Sequence, residues 1–245
     1  IEQHDGVLLA DDVGLGKTYQ AGELIADRVF NHRDRVLVVA PAILRDGPWR
    51  KFLRGRDLNV QVVSFEELAA DKRLNPEGGT ENKLWYEPND YKMVVIDEAH
   101  NLRNPSTQRA EALRVLLRDS PPKDVVLVTA TPVNNSLWDL YHLLRFFVRS
   151  ESAFANVGVP NMREHFAAAM EIDPEDLTAE ALFDILDQVS VRRTRPFIKR
   201  YYPNAMITVD GQQISVVFPT PRVRRVRYDF AEALPGFFEA FEHAI

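Results

Sequence analysis

The chain has no cysteine among its 245 residues. That excludes disulfide stapling and thiolate metal sites, and it is the composition of a protein kept in a reducing, intracellular compartment. No apolar run reaches the ~18 residues that a membrane-spanning helix requires. The opening stretch, Ile1 to Gly6, has neither the positive flank nor the apolar core of a signal peptide. The six histidines are scattered without an HxxxH pair, so a dedicated zinc site is not expected and any metal should arrive with a nucleotide. Internal repeats and long low-complexity tracts are also lacking.

What is present is the balance of an ordinary globular protein: 45% hydrophobic and 27% charged residues, in a length that suits one good core with an appended subdomain. The net charge of −6 is unevenly placed. Residues 151–190 carry nine acids against one arginine, and residues 191–227 carry nine basic residues against one acid, Asp210. Such an asymmetry calls for a functional explanation.

Short apolar runs at Val7–Ala10, Arg35–Ala40, Val60–Phe65, Met93–Ile96 and Asp124–Thr129 alternate with helical patterns, notably Lys17–Phe30 and Ser106–Leu117. Continuous apolar strands between helices predict an α/β fold whose parallel sheet is covered on both faces. Leu74–Asp90, rich in proline and glycine, reads as a surface loop. Residues 151–190 show two helical stretches, near Met162–Met170 and Ala179–Val189, divided by Asp173-Pro174, and predict a helical excursion from the sheet. Asp210-Gly211 between β-prone runs signals a hairpin within Ile207–Phe218.

Three polar clusters follow strands. Asp11-Asp12-Val13-Gly14-Leu15-Gly16-Lys17-Thr18 sits between the first strand and its helix. Its glycines let the backbone wrap phosphates, Lys17 is placed to neutralise the β- and γ-phosphates, and Thr18 to hold magnesium through its hydroxyl. The usual pattern has glycine where this chain has Asp11. Asp97-Glu98-Ala99-His100 leaves the fourth strand at the carboxyl edge of the sheet, where Asp97 can position magnesium and Glu98 can orient and deprotonate a water. Thr129-Ala130-Thr131-Pro132 ends the fifth strand at the same edge, placed to sense a γ-phosphate.

Motif I, a DEAH-type motif II and a TAT motif III in this order resemble a superfamily 2 helicase, and narrower features resemble its SWI/SNF-type translocases. LLADDVGLGKT (Leu8–Thr18), VLVVAPAIL with Trp49, VVSFEEL (Val62–Leu68), IDEAHNLRN (Ile96–Asn104), TATPVNNSLWDLYHLLRFF (Thr129–Phe147) and VRRTR (Val191–Arg195) are similar to that family's successive elements. Asp12 stands for the usual Glu. QVSVRRTR superficially echoes an arginine-finger motif, but it lacks the glycine and lies too near Thr131 for a second domain to intervene.

The resemblance implies a RecA-like ATP-binding lobe over residues 1–150, a helical protrusion over 151–190, and a return segment with a hairpin over 191–245 leading toward a second RecA-like lobe. It implies ATP and Mg as cofactors and double-stranded DNA as partner, with other protein subunits in addition, no membrane, and a cytoplasmic location (nucleoid-associated in a bacterium, nuclear in a eukaryote). Nucleotide contacts fall to Asp12, Gly14, Leu15, Gly16, Lys17 and Thr18, and catalysis to Lys17, Asp97 and Glu98. Coupling is assigned to His100, Thr129, Ala130 and Thr131, DNA contact to Pro41, Ser64 and Asn135, and Mg to Thr18 and Asp97. The upstream glutamine motif and the second lobe's arginine fingers are expected outside this chain. The resemblance places the double arginine near the lobe junction, where pairing with acids of the second lobe is favoured over contact of the basic segment with DNA phosphates. A restriction or phage-defence motor, an RNA helicase, and a nucleotide-binding interaction module inactive in isolation are the competing readings.

Overall fold

The apolar runs become β1 (Gly6–Leu9), β2 (Arg35–Val39), β3 (Gln61–Val63), β4 (Tyr91–Asp97) and β5 (Asp124–Val128), joined by a two-residue strand, β6 (Ser190–Val191), that carries no apolar run of its own. All pair in parallel in the order β3-β2-β4-β5-β1-β6. This computed structural model describes residues 3–118, 122–133, 135–172, 182–203, 206–209, 212–215 and 218. Residues 1–198 form one compact unit and residues 199–245 a second.

Helices cover both faces of the sheet in the first unit: α1 (Lys17–Phe30), α2 (Ala42–Leu44), α3 (Arg50–Gly55), α4 (Phe65–Ala70), α5 (Gln108–Leu117), α6 (Leu137–Leu144), α7 (Met162–Met170) and α8 (Phe183–Val189). α9 (Arg195–Tyr201) follows β6. A π turn, Arg45–Trp49, joins α2 to α3 and contains Pro48, whose missing N–H disturbs the regular ladder. Side-chain caps start several helices: Ser64, Thr107, Ser136 and Asn161 each accept a backbone N–H of the first turn, and Ser64 with Glu67 forms a full capping box.

Because side chains alternate across a strand, Leu8, Val125 and Leu127 enter one core layer while Leu9, Val126 and Val128 enter the other. The first layer is closed by α4, α5 and α6, and the second by α1, through Ala21 and Ile25, with Trp49 and Leu53. Within residues 151–190, α7 and α8 bring Phe166, Ile185 and Val189 into the first core layer. The breaker Asp173-Pro174 lies outside the described residues, as do Asp210-Gly211 and the basic residues Arg222 to Arg227. In the second unit β7 (Met206–Val209) pairs antiparallel with β8 (Gln212–Ser215), the pairing expected of the hairpin.

Leu74–Asp90 is the irregular, largely exposed segment expected, and it is pinned at a few buried points. Leu74 and Leu84 are buried, and the fully buried Asp71 carboxylate accepts hydrogen bonds from the N–H groups of Lys83 (2.5 Å) and Leu84 (2.8 Å). The buried Gln61 amide donates to the Lys83 carbonyl (2.8 Å) and accepts from Trp85 N (2.8 Å) and the Tyr91 hydroxyl (2.6 Å). A turn-rich composition reports the path of the backbone, not the buried polar groups that pin it. Among the described residues no helix is long and apolar enough to cross a membrane.

α1 approaches α3 at Gly22, where a Cβ would stand 2.2 Å from two carbons of the Phe52 ring. Alanine normally stabilises a helix interior by about 1 kcal/mol over glycine, whereas overpacking costs about 1–3 kcal/mol. Gly22→Ala is therefore expected to lower the urea midpoint, and a raised midpoint would show that Phe52 yields freely.

Candidate nucleotide site

Neighbouring strands β4, β5 and β1 run parallel, so the three polar clusters that follow them emerge side by side at one sheet edge. Thr129 N donates to the Leu9 carbonyl (3.0 Å), which locks the loop after β5 to the end of β1.

After β1 the chain turns through Gly14 (φ 83°) and Gly16 (φ 78°), both left-handed, and enters α1 at Lys17. A side chain at either position is strained in that conformation. Lys17 Nζ folds back onto the carbonyls of Asp11 (2.6 Å) and Asp12 (3.3 Å), so its charge sits inside the loop. Thr18 lies half-buried in the first turn of α1, and Leu15 donates from its N–H to the Asp12 carbonyl (3.3 Å).

Asp11, the departure from the usual glycine, is fully buried. Its carboxylate accepts from Arg193 N (2.6 Å), Arg193 Nε (2.9 Å), Arg193 Nη2 (2.6 Å) and Gln20 Nε2 (2.8 Å). Burial pushes this carboxyl up, but the hydrogen bonds from Arg193 and Gln20 and the guanidinium charge outweigh it and hold it below the ordinary aspartate value. The Asp12 carboxylate accepts from Arg195 N (3.0 Å), and the Arg195 guanidinium donates to the Val13 carbonyl (3.0 Å). Arg193, expected to reach acids of a second lobe, thus finds its acid within this chain. The carboxylate that replaces the loop glycine needs a cation, and Arg193 supplies it.

At the end of β4, Asp97 is nearly buried, and its carboxylate accepts from Trp49 Nε1 (2.7 Å) and from Glu98 N (2.9 Å). Burial raises its pKa above the ordinary value, with the Trp49 bond opposing. Glu98 is left-handed (φ 51°), an uncommon conformation for a residue with a Cβ, which turns the chain sharply from strand into the 3₁₀ turn Ala99–Leu102. His100 Nδ1 lies 3.1 Å from Glu98 Oε2 and 3.2 Å from Thr129 Oγ1, and Thr131 N donates to that same hydroxyl (3.2 Å). Motif II and motif III residues are thereby in contact, with Ala130 half-buried between Thr129 and Thr131.

The residues assigned to DNA follow the neighbouring strands. Pro41 starts α2 after β2, Ser64 starts α4 after β3, and Asn135 is exposed beyond Thr131. Ser64 is buried and its hydroxyl is engaged with Glu67 N (3.1 Å), while Glu67 also pairs with Arg45.

Residues 49–209 match the SNF2-related domain. The chain belongs to this family. Among its relatives, the uncharacterised ATP-dependent helicase YqhH of Bacillus subtilis is 27% identical over 205 residues, covering 80% of this chain and 34% of the relative. The RNA polymerase-associated protein RapA of Actinobacillus pleuropneumoniae is 28% identical over 224 residues, covering 79% of this chain and 23% of RapA. The SWI2/SNF2 ATPase core of Sulfolobus solfataricus, solved with dsDNA, shares the fold with a TM-score of 0.55 at 24% identity, over 78% of this chain and 40% of that one. The chain spans about a third or less of the length of these curated relatives.

Asp97 supplies a test that needs no turnover. A carboxyl whose folded pKa lies above its unfolded one costs no stability below the unfolded value, and the penalty grows as pH rises and is complete above the folded pKa. Asp97→Asn, which keeps an acceptor for Trp49, is expected to melt higher than the parent at neutral pH, with the gap closing as pH falls through about 4. An equal or lower melting temperature at neutral pH would show that burial of the charge costs nothing here.

Proposed function

We propose that this SNF2-related chain is the ATP-binding lobe of a DNA-dependent ATPase that moves along double-stranded DNA. The observation that carries the reading is the convergence of Lys17, Thr18, Asp97, Glu98, His100 and Thr129 on one edge of a parallel sheet. Support for an ATP-driven motor comes from the ATP-dependent helicase and RNA polymerase-associated relatives, and for duplex DNA from the Sulfolobus neighbour. Coverage of 40% of that core supports a second RecA-like lobe as the partner of this one.

The residues fit a magnesium nucleotide. The loop turns on two left-handed glycines with Lys17 at its base, and Thr18 and Asp97 offer a hydroxyl and a carboxylate, the hard oxygen donors that magnesium takes. Bound ATP with its metal supplies the phosphoryl group and the Lewis acid. Lys17 would leave the Asp11 and Asp12 carbonyls to meet phosphate charge. Glu98 orients a water and takes its proton, held by His100, and His100 passes the state of that site to Thr129 and the loop beyond β5. Pro41, Ser64 and Asn135 follow β2, β3 and β5 at this same edge, so DNA held there lies next to the hydrolytic residues. A nucleic-acid-associated location, cytoplasmic or nuclear, follows from this reading.

Lys17→Ala is expected to abolish ATP binding by calorimetry while the circular dichroism spectrum and melting stay near those of the parent, because Lys17 opens α1 at the sheet edge and belongs to neither core layer. Unchanged affinity in the folded variant would sink the nucleotide assignment. In any longer form of the protein that turns over ATP, Glu98→Gln is expected to retain binding and to lose roughly 10²–10⁴-fold in hydrolysis, the usual worth of a general base.

A further inference from the structure

β6 does not stop at the end of its pairing with β1. Beyond the ladder, Ala10 N donates to the Val191 carbonyl (2.8 Å) and Asp12 N to the Arg193 carbonyl (3.0 Å). Arg193 N and its guanidinium then close on Asp11, Arg195 N on the Asp12 carboxylate, and the Arg195 guanidinium on the Val13 carbonyl. The Arg195 guanidinium also stands 3.8 Å from where a Cβ on Gly14 would be. The segment therefore runs beside the first half of the nucleotide loop and is bonded to each residue from Ala10 to Val13.

From this juxtaposition we propose that Val191–Arg195 is a structural half of the nucleotide loop, with Arg193 and Arg195 as positioning residues that set its shape, so that nucleotide occupancy and the placement of this segment are coupled. The proposal rests on the nucleotide reading above. The carbonyls that hold Lys17 belong to Asp11 and Asp12, the two residues whose carboxylates the segment fixes. Displacing Lys17 toward a phosphate changes the same backbone that Arg193 and Arg195 grip. In the reverse direction, any pull on the chain at Arg193 acts on the loop through three hydrogen bonds to the buried Asp11 carboxylate, the half-exposed guanidinium being held at two of them. Gln20, one turn into α1, completes the grip by bonding both Asp11 Oδ2 (2.8 Å) and the Leu15 carbonyl (3.3 Å).

The test uses this chain with a non-hydrolysable ATP analogue and magnesium, in the parent and in Arg193→Gln, Asp11→Asn/Arg193→Gln and Lys17→Ala. Arg193→Gln leaves a buried carboxylate without its cation, and analogue affinity is expected to fall about tenfold or more. The double variant removes that stranded charge, pairs two amides, and is expected to recover most of the lost affinity. Hydrogen exchange gives a readout that a mere brace would not move. In the parent the analogue should slow exchange at the amides of Arg193 and Arg195 as well as in the loop, and this remote protection should vanish in Arg193→Gln. If Arg193→Gln only melts lower while affinity stays within about twofold, or if the analogue leaves exchange at Arg193 and Arg195 unchanged, the coupling is wrong. Should Arg193→Gln fail to fold, the double variant decides: folded with near-parent affinity it supports the proposal, and folded with affinity lost it overturns it. Loss of binding in Lys17→Ala alongside retained binding in Arg193→Gln leaves the nucleotide reading standing without the coupling. A parent that binds no analogue overturns both.

Discussion

A carboxylate with no access to water has to be neutralised where it stands, and Asp11 imposes that condition at the mouth of the nucleotide loop. A glycine there would remove the ion pair and leave the loop tied to the 191–195 segment only by backbone bonds and by Arg195. With aspartate, the loop needs a cation that reaches a buried site with fixed geometry, and Arg193 donates from guanidinium Nε and Nη2 to Asp11 Oδ2 while its backbone N–H donates to Oδ1. That requirement explains why so short a strand as β6 is placed beside β1: two residues of ladder bring the arginine into register with the acid. The helices before β6 then have to return the chain to this edge, and their burial in the first core layer fixes where it arrives.

Asp97 presents the opposite solution to the same problem. It also lies at the end of a central strand, but it faces neutral donors, the Trp49 indole and the Glu98 N–H, in place of a cation, and its pKa is raised where that of Asp11 is lowered. Trp49 owes its position to the π turn, and the edge-to-face contacts Trp49–Phe52 (6.3 Å) and Phe52–Tyr19 (5.2 Å) carry that position to the first turn of α1. The segment after β2, the motif II carboxylate and the helix behind the nucleotide loop therefore form one packed body.

Much of this was legible before any coordinates. Parallel strands buried on both faces are continuous apolar runs, so β1 to β5 could be read directly, and glycines forced into left-handed turns mark the loop at Gly14 and Gly16. The proximity of His100 to Thr129 follows once β4 and β5 are neighbours. Other features had no local signal. Ser190-Val191 is too short to show a period, and Arg193 is separated from Asp11 by 182 residues, so neither composition nor spacing links them. Trp49 reads equally as a core aromatic. The buried carboxylate at Asp71 was masked by the turn-rich segment that it pins. In each case the missing information is which remote donor meets a buried acid.

The two carboxylates also divide the labour of the edge between rigidity and responsiveness. An ion pair with four hydrogen bonds to one carboxylate has a single good geometry, so Asp11 transmits displacement. A raised-pKa carboxylate whose hydrogen-bond partners are neutral has a free energy that depends strongly on any cation brought near it, which is the situation of Asp97. Lys17 stands between them, hydrogen-bonded to the Asp11 carbonyl and lowering the pKa of Asp97 by its charge. A change in where Lys17 points is thus felt at both, electrostatically at Asp97 and mechanically at Asp11. Through Asp11 it reaches Arg193 and the segment that Arg193 belongs to.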